Sequence, residues 1–523
     1  MRWSSSIFIA VALTARICHA GDGEAPRYAV LFDAATRQAD VQLCLTGAHA
    51  AVEFAADSAW AMRFVAQLRR TGGGALPAGD SGWSARDWKA GECLSYRADL
   101  GAIAAEHKSD VGWQLGQDLV TAPQLWLLRP DVQGQANAEL RIRLPAGWSI
   151  SAPWHPLAQA PDDRADEARP EGNAAPTIPA PTAAATPADS SQNILFQIPH
   201  TPANWSAAVA IGQFREEPMV LPGGLLRIAI LHGTDAGQRV KLHAWLDRIS
   251  RAALSAYGRL PLADVQLLVI PIGELGLGSR MTGTDDPEAV HFGQSIRGQG
   301  NALELLVDAS RPAAEFSEDW TAVHELSHLL HPYLGDRGTW LSEGLATYYQ
   351  NVLRARSGLL TPAQAWDRLR EGFKRGARAP SDESLEEVAQ NMHRSHAFQR
   401  VYWAGAAYWL TVDRDLRRAS RGTKTLDTAL AGFRDCCLPA YREWQPEDFV
   451  ARLDVLADTH VFSSRFREFA QMRQFPEWQA LFADLGVGDS GEHLTLAPAA
   501  KDAAIREAIM APLEKTSGAA AAR

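Results

Sequence analysis

Short runs of alternating apolar and polar residues occupy the chain from residue 26 to residue 150. Examples are RYAVLFDAA, ADVQLCLTG, AAVEFAA and AELRIRLPAGW, with Gly, Pro and Asp between them. Alternation with a period of two places the apolar side chains on one face of a strand, and frequent turn residues are typical of stacked antiparallel sheets. The pattern predicts an N-terminal β-sandwich-like domain.

The alternation stops in the segment 158–193. From Pro161 to Gln192 the chain is rich in proline and alanine and has no aromatic residue. Such a composition buries too little apolar surface to offset the entropy lost on folding. Strand-like sequence resumes afterwards (NILFQIPH, SAAVAIGQF), so we predict a disordered insertion within an N-terminal β-rich domain of residues 21–222.

Mixed periods follow in residues 223–358. A helix-like stretch near 236–258 precedes two strand-like runs, DVQLLVIPI and ALELLVDA, and a further helix. Strands that alternate with helices indicate an α/β subdomain. Residues 359–490 have helical periodicity and caps such as SDESLEEVAQ, and residues 491–523 are predicted to be a tail. The expected class is therefore a multidomain α+β fold with a helical C-terminal subdomain.

The bulk composition excludes some partners. Of the 523 residues 46% are hydrophobic and 21% are charged, and the net charge is −10. These values are typical of a water-soluble globular protein. An acidic surface does not suit nucleic acid or anionic membranes, so neither is predicted as a partner. The oligomeric state is left open.

The first twenty residues, MRWSSSIFIAVALTARICHA, predict a cleaved signal peptide. A basic start is followed by an apolar run and by a small residue before the polar GDGE. The apolar run is shorter than the roughly 20 residues that span a bilayer, and Arg16 interrupts it. We therefore expect an exported protein, periplasmic or secreted, without an integral membrane segment after cleavage.

Four cysteines follow this leader. Cys44 and Cys93 both lie in strand-like sequence, and in an oxidising compartment they are predicted to form a structural disulfide. The chemistry of the adjacent Cys436 and Cys437 stays open.

The sequence TAVHELSHLLH contains His324, Glu325 and His328 in the pattern H-E-x-x-H. Residues four apart lie on one face of a helix, so both imidazoles can bind one Zn²⁺ ion. Glu325 is then placed to act as general base toward a metal-activated water. The flanking residues are largely apolar, and burying three polar groups there without a partner would be costly.

Catalytic zinc usually takes three protein ligands. His331 lies ~10 Å from His324 along a straight helix, which is too far to share a metal. Asp336 could serve only if the chain turned back directly after Pro332. Glu343 lies in WLSEGLATYYQ, which predicts a second helix after the turn LGDRG. We favour Glu343 as the third ligand and interpret His331 as a surface or supporting residue.

HELSH followed by WLSEGLATYY resembles the gluzincin metallopeptidases, and the segment RVYWAGAAYWL resembles their Y-x-x-G-A segment. The resemblance implies a thermolysin-like catalytic domain, one Zn²⁺ per chain and a peptide or protein substrate. It also implies that the Tyr402 hydroxyl stabilises the oxyanion. LPAGWSISAPW, AIGQF and the segment 462–488 are most similar to the glycyl aminopeptidase family, here without room for its PDZ domain.

The sequence departs from that family just upstream of the motif. Aminopeptidase gluzincins carry there a glutamate that holds the free amine of the substrate, and RGQGNALELLVD has Gly300 at its place. Gly298, Gly300 and Asn301 are therefore the predicted substrate-binding positions, with Glu304 or Glu274 as substitute carboxylates. The strand ALELLVD is a candidate to pair with the substrate backbone.

Two other functions fit the same residues. One is a binding or scaffold protein that kept the fold without activity, which the intact Glu325 argues against. The other is a zinc hydrolase that cleaves an ester or a cell-wall peptide, because the water chemistry would be the same. Whether the chain is an aminopeptidase or an endopeptidase is undecided at this level.

Overall fold

The computed structural model describes residues 25–55, 58–71, 74–80, 82–132, 137–157, 192–199, 207–273, 289–297, 300–379, 381–490 and 493–513. The leader 1–20 and nearly all of the insertion 158–193 lie outside these ranges. Among the described helices, none is long and apolar enough to cross a membrane.

The N-terminal region is built from sheets, as the alternation predicted. A seven-stranded sheet has the order β12-β13-β10-β1-β2-β6-β4, and four-stranded (β11-β14-β8-β7) and three-stranded (β5-β3-β9) sheets pack with it. The strands are β1 (Arg27–Asp33), β2 (Gln38–Cys44), β3 (His49–Ala55), β4 (Val65–Arg70), β5 (Gly82–Trp88), β6 (Cys93–Asp99), β7 (Gly112–Leu115), β8 (Asp118–Thr121), β9 (Arg129–Asp131), β10 (Ala138–Leu144), β11 (Ser149–Ser151), β12 (Pro156–Leu157), β13 (Gln192–Ile198) and β14 (Val209–Gly212). A short helix α1 (Leu100–Ala104) follows β6.

The period of two decides which side chains enter the N-terminal core. In β1 every second residue is buried, which places Tyr28, Val30 and Phe32 in the core and leaves the residues between them exposed. The hydroxyl of Tyr28 donates a hydrogen bond to the backbone oxygen of Leu128 at 2.9 Å, so its polar end is satisfied inside. Cys44 and Cys93 lie opposite each other in β2 and β6 and form a disulfide.

A five-stranded sheet of order β15-β16-β17-β19-β18 supports the motif helix. Its strands are β15 (Glu216–Leu221), β16 (Gly224–Ile230), β17 (Asp264–Pro271), β18 (Val290–Arg297) and β19 (Asn301–Val307). The three central strands are parallel and β15 and β18 run antiparallel at the edges. The sheet thus begins at Glu216, before the predicted boundary at residue 222, because β15 forms a hairpin with β16.

Helices form the remainder. They are α2 (Ala236–Leu254), α3 (Ala313–Glu318), α4 (Thr321–His328), α5 (Thr339–Arg356), α6 (Pro362–Ala377), α7 (Leu385–Gln390), α8 (Met392–Ser395), α9 (Phe398–Ser420), α10 (Leu426–Cys437), α11 (Pro446–Ala457), α12 (Val461–Ala470), α13 (Trp478–Leu485) and α14 (Ala503–Met510). A hairpin of β20 (Val487–Ser490) and β21 (His493–Leu496) precedes α14. The multidomain α+β class is therefore confirmed.

Helix α5 is the centre of the helical part. Nearly all of its side chains are buried, and its two tyrosines are satisfied by carboxylates of neighbouring helices. The Tyr348 hydroxyl donates to Asp413 at 2.9 Å, and the Tyr349 hydroxyl donates to Asp427 at 2.8 Å. Arg356 binds both carboxylate oxygens of Asp427, at 2.9 and 3.0 Å. A fully paired polar network of this kind fixes how the helices pack.

The segment predicted as a tail contains structure that docks on this helix. Arg356 donates from its Nε to the backbone oxygen of Ile509 at 2.8 Å, and Ile509 itself is fully buried. Arg506 donates to the backbone oxygen of Ala497 at 2.8 Å. The alanine-rich sequence shows no clear helical pattern, so α14 was not predicted. Its apolar face is stabilised by packing that exists only in the tertiary structure.

The N-terminal domain is joined to the catalytic sheet by a buried arginine. Arg227 on β16 donates to Asp264 at 2.7 Å and to Glu216 at 2.9 Å. It also donates to the backbone oxygens of Ala152 and Trp154, at 2.8 and 3.2 Å. Every contact is a charge-assisted hydrogen bond in a buried setting, so the two units are held in one orientation.

A buried carboxyl group lies at the same junction. Glu304 on β19 is 6% exposed. Burial, and to a lesser extent the charge of Asp110, raises the pKa of Glu304 to about 8. Because an acid whose pKa is raised by folding is protonated in the fold and ionised in the unfolded chain, stability falls as the pH rises from about 4.5 to about 8.

Replacing Glu304 by glutamine removes this ionisation while keeping the shape. We expect the variant to match the wild type near pH 4.5 and to be more stable by ~3 kcal/mol at pH 7, as an upper value, since each pKa unit is worth about 1.4 kcal/mol. Urea unfolding at pH 4.5, 6, 7 and 8 measures the difference. Glu53→Gln, at an exposed position of β3, is the control, and a constant difference across the pH range would contradict the account.

Candidate metal centre

The motif helix α4 is placed by its two ends. The Asp319 side chain accepts a hydrogen bond from the backbone N–H of Thr321 at 2.8 Å, which satisfies one of the free donors of the first turn. Tight turns at Leu329 and Leu330 end the helix, and Pro332 prevents its continuation. His324 and His328 lie one turn apart and are 3% and 4% exposed. Both rings are therefore held inside the protein.

The chain then reverses so that α5 packs against α4. A short 3₁₀ turn, Asp336–Gly338, leads into α5, and Glu343 occupies the second turn of that helix. One carboxylate oxygen of Glu343 lies 3.2 Å from the Nε2 atom of His324 and 3.5 Å from the Nε2 atom of His328. Three donor atoms thus converge from two helices, which is the ligand set that a catalytic zinc site uses.

Glu325 also lies close to the two histidines. The side chains of His324, Glu325 and His328 can bring their ligand atoms within 4.8 Å of one another. The Glu343 oxygen is nearer to both Nε2 atoms, so Glu343 is the better third ligand and Glu325 is left beside the site. This division is the one that the general-base role requires.

Charge distribution favours an ionised Glu343. Burial raises the pKa of its carboxyl, but the charge of His328 and hydrogen bonds from both histidines outweigh burial and hold the pKa well below its usual range. A metal ligand must be deprotonated, so this carboxylate is prepared to bind a cation.

The first histidine is oriented by a buried glutamine. The Nδ1 atom of His324 lies 2.8 Å from the side-chain oxygen of Gln350, seven residues after Glu343 on the same helix. An amide oxygen only accepts hydrogen bonds, so Nδ1 carries a proton, and once Nε2 gives up the proton that it donates to Glu343 the ring is protonated on Nδ1 alone. This is the tautomer that binds a metal through Nε2.

The second histidine has two supporting residues. The Nδ1 atom of His328 lies 3.4 Å from the Nε2 atom of His331 and 3.3 Å from the Ser342 hydroxyl. His331 donates from Nδ1 to the backbone oxygen of Pro332 at 2.8 Å, so its Nε2 is an acceptor. Burial and the neighbouring charge of Arg297 hold the pKa of His331 well below its usual range, which keeps the ring neutral. His331 is 1% exposed and supports His328.

Strand β18, at the edge of the sheet, packs directly against Glu325. A Cβ atom on Gly293 would lie 2.7 Å from the Cγ atom of Glu325, so only glycine lets the carboxylate side chain pass. The Ser295 hydroxyl donates to the backbone oxygen of Glu325 at 2.6 Å. Arg297, at the end of the strand, donates to the backbone oxygen of His328 at 3.1 Å. The edge strand thus positions the whole motif helix.

Tyr402 reaches the site from α9. A Cβ on Gly344 would lie 2.4 Å from the Cα of Gly405, so α5 and α9 cross with no side chain between them. The Tyr402 ring stacks on His324 with centroids 5.9 Å apart and planes 14° apart. Burial, together with the charges of Glu343 and Glu325, raises the pKa of Tyr402 well above its usual value. Its hydroxyl therefore keeps its proton and can donate it in a hydrogen bond.

Two of the predicted substrate-binding positions, Gly300 and Asn301, contact the N-terminal domain. Gly300 has a φ of 123°, and a Cβ there would lie 2.1 Å from the backbone oxygen of Pro153 in the N-terminal domain. The N–H of Asn301 donates to that same oxygen at 3.2 Å. Gly298 and Glu274 lie outside the described residues. The substrate-binding role of Gly298, Gly300 and Asn301 stays a prediction.

The strand expected to pair with a substrate is an inner strand. β19 is hydrogen-bonded to β17 on one side and to β18 on the other, so its ladder has no free edge. The prediction that ALELLVD pairs with the substrate is therefore wrong, and among the described strands the edges of this sheet are β15 and β18. Asp336 lines a separate polar pocket with Tyr333 and Arg394.

Several functional neighbours gave no sequence signal of their own. Gln350, Ser342, Arg297 and Gly293 became visible only through contacts between elements far apart in the chain. Gln350 alone could have been found, because a residue seven positions after Glu343 lies on the same helix face.

Substituting Gln350 by leucine should weaken zinc binding by 10- to 100-fold, since the partner of a metal-binding histidine orients its ring. Competition with a chromophoric chelator measures the affinity, and unfolding of the metal-free protein shows whether the variant folds. Gln471→Leu, at an exposed helix end, is the control. Unchanged zinc affinity in a folded Gln350→Leu variant would show that this hydrogen bond has no positioning role.

Known proteins were compared with the chain in three ways. The sequence model of the M61 glycyl aminopeptidase family matches residues 323–408. This stretch runs from the residue before His324 to the middle of α9 and includes Glu343 and Tyr402. The search of curated proteins found no match.

Solved structures share the fold over most of the chain. An aminopeptidase N family protein from Idiomarina loihiensis has a TM-score of 0.61 at 14% identity and covers 88% of this chain and 78% of its own. An M1 zinc metallopeptidase from Deinococcus radiodurans has a TM-score of 0.51 at 13% identity, with 87% and 93% covered. At such identities the likeness concerns the fold. The family match lies on the helices that bring two histidines and Glu343 together, so the chain is a zinc metallopeptidase, and its residues 323–408 resemble the M61 glycyl aminopeptidases.

Proposed function

We propose that this protein is an exported peptidase in which Glu325 is the general base and Tyr402 the oxyanion donor. The convergence of His324, His328 and Glu343 within 3.2 to 3.5 Å, with Glu325 beside them, is the observation that carries the proposal. Bound zinc supplies a Lewis acid for the scissile carbonyl and acidifies a water molecule.

Proton transfer, oxyanion stabilisation and orientation of the histidines are carried out by residues of the chain. Glu325 takes the proton of the attacking water and later delivers it to the leaving amine, which restores the carboxylate. The Tyr402 hydroxyl, still protonated, donates a hydrogen bond to the oxygen on which negative charge develops. Gln350 and His331 keep both histidines in the tautomer that the site needs.

The position of β18 at one edge of the described sheet supports an extended peptide as the substrate. Edge strands present unpaired backbone N–H and C=O groups, and an extended peptide can add to them as a further strand. Since β18 packs on Glu325 through Gly293, a peptide on this edge would pass beside the general base. A backbone-reading site fits peptide bonds better than simple esters.

Export is supported by the leader and by the disulfide between Cys44 and Cys93 in the N-terminal domain. Structural disulfides are characteristic of oxidising compartments. Sequencing the amino terminus of the protein recovered from outside the cytoplasm tests this, and retention of residues 1–20 would contradict it.

The activity is tested with two peptide sets, one with a free amine and one with a blocked amine. We expect chelator-sensitive hydrolysis, a loss of 10²–10⁴ in kcat for Glu325→Gln with zinc retained, and a loss of 10²–10³ for Tyr402→Phe. Tyr441→Phe, at an exposed tyrosine, is the control.

Each outcome has a defined meaning. Cleavage of the free-amine set alone would assign an aminopeptidase, and cleavage of both sets an endopeptidase. Full activity of Glu325→Gln or of the chelator-treated enzyme would refute the mechanism. If the zinc-loaded wild type cleaves neither set, the peptidase proposal is wrong. The two alternatives are then a binding protein and a hydrolase of another bond.

A further inference from the structure

Trp320 lies beside the metal centre, one turn before His324 in the chain. The backbone N–H of His324 donates to the backbone oxygen of Trp320 at 3.0 Å, which is the hydrogen bond of a helical turn. Residues four apart are neighbours on a helix surface, and the two rings meet edge to face with centroids 5.4 Å apart. Trp320 is 37% exposed, whereas His324 is buried. A partly exposed apolar ring thus adjoins a candidate metal ligand.

Phe398 has the corresponding place on α9, one turn before Tyr402. Its ring meets the ring of Tyr402 at a centroid distance of 6.5 Å and an angle of 82°. It also contacts the exposed imidazoles of His393 and His396, at 5.4 and 6.3 Å. Phe398 itself is partly buried, so these contacts fix its ring at the edge of the helical core.

The four rings form one continuous row, which we call the aromatic row. His324 stacks on Tyr402, so the order is Trp320, His324, Tyr402 and Phe398. The two inner members are a candidate metal ligand and the proposed oxyanion donor. The two outer members have no part in the proposed proton transfer or oxyanion stabilisation. One apolar ring therefore lies beyond each of the two groups that flank the reaction.

The outer rings lie where substrate side chains would extend. In the proposed mechanism the oxygen of the scissile carbonyl is bound by the metal and by the Tyr402 hydroxyl. The two residues joined by the scissile bond are about 3.3 Å apart along an extended peptide, and their side chains point in opposite directions. One side chain is therefore directed toward Trp320 and the other toward Phe398.

The exposure of Trp320 distinguishes it from a residue that only packs. Among the described tryptophans only Trp60 has as large an exposed fraction, also 37%, and the guanidinium of Arg63 lies over its ring at 4.4 Å. Covering an exposed indole with an apolar group is favourable, because apolar surface is removed from water. Apolar walls beside a few well-placed polar groups are typical of ligand sites.

We propose that Trp320 and Phe398 are specificity-determining residues. Their rings form the apolar walls of two subsites, one on each side of the scissile bond, and the preferred substrates are peptides with a large apolar side chain next to that bond. This assignment rests on the proposed peptidase function. It adds a choice among peptides that the metal centre does not make, because zinc activates water in the same way for every peptide bond.

Peptide cleavage provides the first test. The substrates are quenched-fluorescence peptides of one length with Phe-Ala, Ala-Phe or Ala-Ala at the cleaved bond, and mass spectrometry identifies that bond. We expect the wild type to have a kcat/KM about tenfold or more higher for each Phe peptide than for the Ala-Ala peptide. Trp320→Ala should lower this ratio at one of the two positions and Phe398→Ala at the other.

Hydroxamate binding separates the subsites from the catalytic step. N-acetyl-phenylalanine hydroxamate and N-acetyl-alanine hydroxamate both chelate zinc and differ only in the side chain next to it. Isothermal titration calorimetry with the zinc-loaded full chain should show about tenfold tighter binding of the phenylalanine compound, and one of the two alanine variants should abolish this preference. If the wild type cleaves no peptide but has this preference, the peptidase function fails and the subsites stand.

A matched variant controls for a general loss of apolar surface. Trp60→Ala removes the equally exposed indole in the N-terminal domain and should leave the preference unchanged. Zinc content and thermal unfolding are measured for every variant, and Phe398→Leu takes the place of Phe398→Ala if the latter does not fold. Equal affinity of the wild type for the two hydroxamates, a preference retained in both groove-free alanine variants of the aromatic row, or its loss in Trp60→Ala would overturn the proposal.

Discussion

The crossing of α5 and α9 at Gly344 and Gly405 is the constraint on which the metal centre depends. A Cβ on Gly405 would lie 2.0 Å from the backbone oxygen of Trp340, so the two helices approach as closely as backbones can. Glu343 precedes the crossing on one helix, and Tyr402 lies one turn before it on the other. A larger residue at either glycine would separate the helices and move both side chains away from His324.

The site is supported from three directions, and each set of contacts restricts the position of a different part of it. The edge strand holds α4 through Gly293, Ser295 and Arg297, which sets the position of Glu325. Helix α5 carries both Glu343, the candidate third ligand, and Gln350, the partner of His324, so one rigid element positions both. Behind α5, the hydrogen bond from Tyr348 to Asp413 connects it to α9 and the ion pair of Arg356 with Asp427 connects it to α10. Preorganisation of this kind spares the site from reorganising during catalysis.

Local pattern was sufficient for much of this architecture. Alternation with a period of two placed the N-terminal strands and their buried faces, and helical periodicity placed the helices after residue 359, because each depends on neighbouring residues alone. The H-E-x-x-H spacing named His324 and His328 for the same reason. Glu343 needed one further step, the assumption that the next helix packs antiparallel.

Contacts between distant segments were beyond such reasoning. Strand order enclosed β19, which the sequence had predicted as a strand, and made β18, which it had not predicted, an edge strand of the described sheet. The docking of α14 and the seating of Gly300 against Pro153 likewise depend on which surfaces meet. The sequence by itself determined the types of elements and the zinc-binding residue types, since these follow from local periodicity and spacing. Only the tertiary structure decided which residues orient the histidines and which described strands lie at the edges of the sheet, because each requires long-range packing.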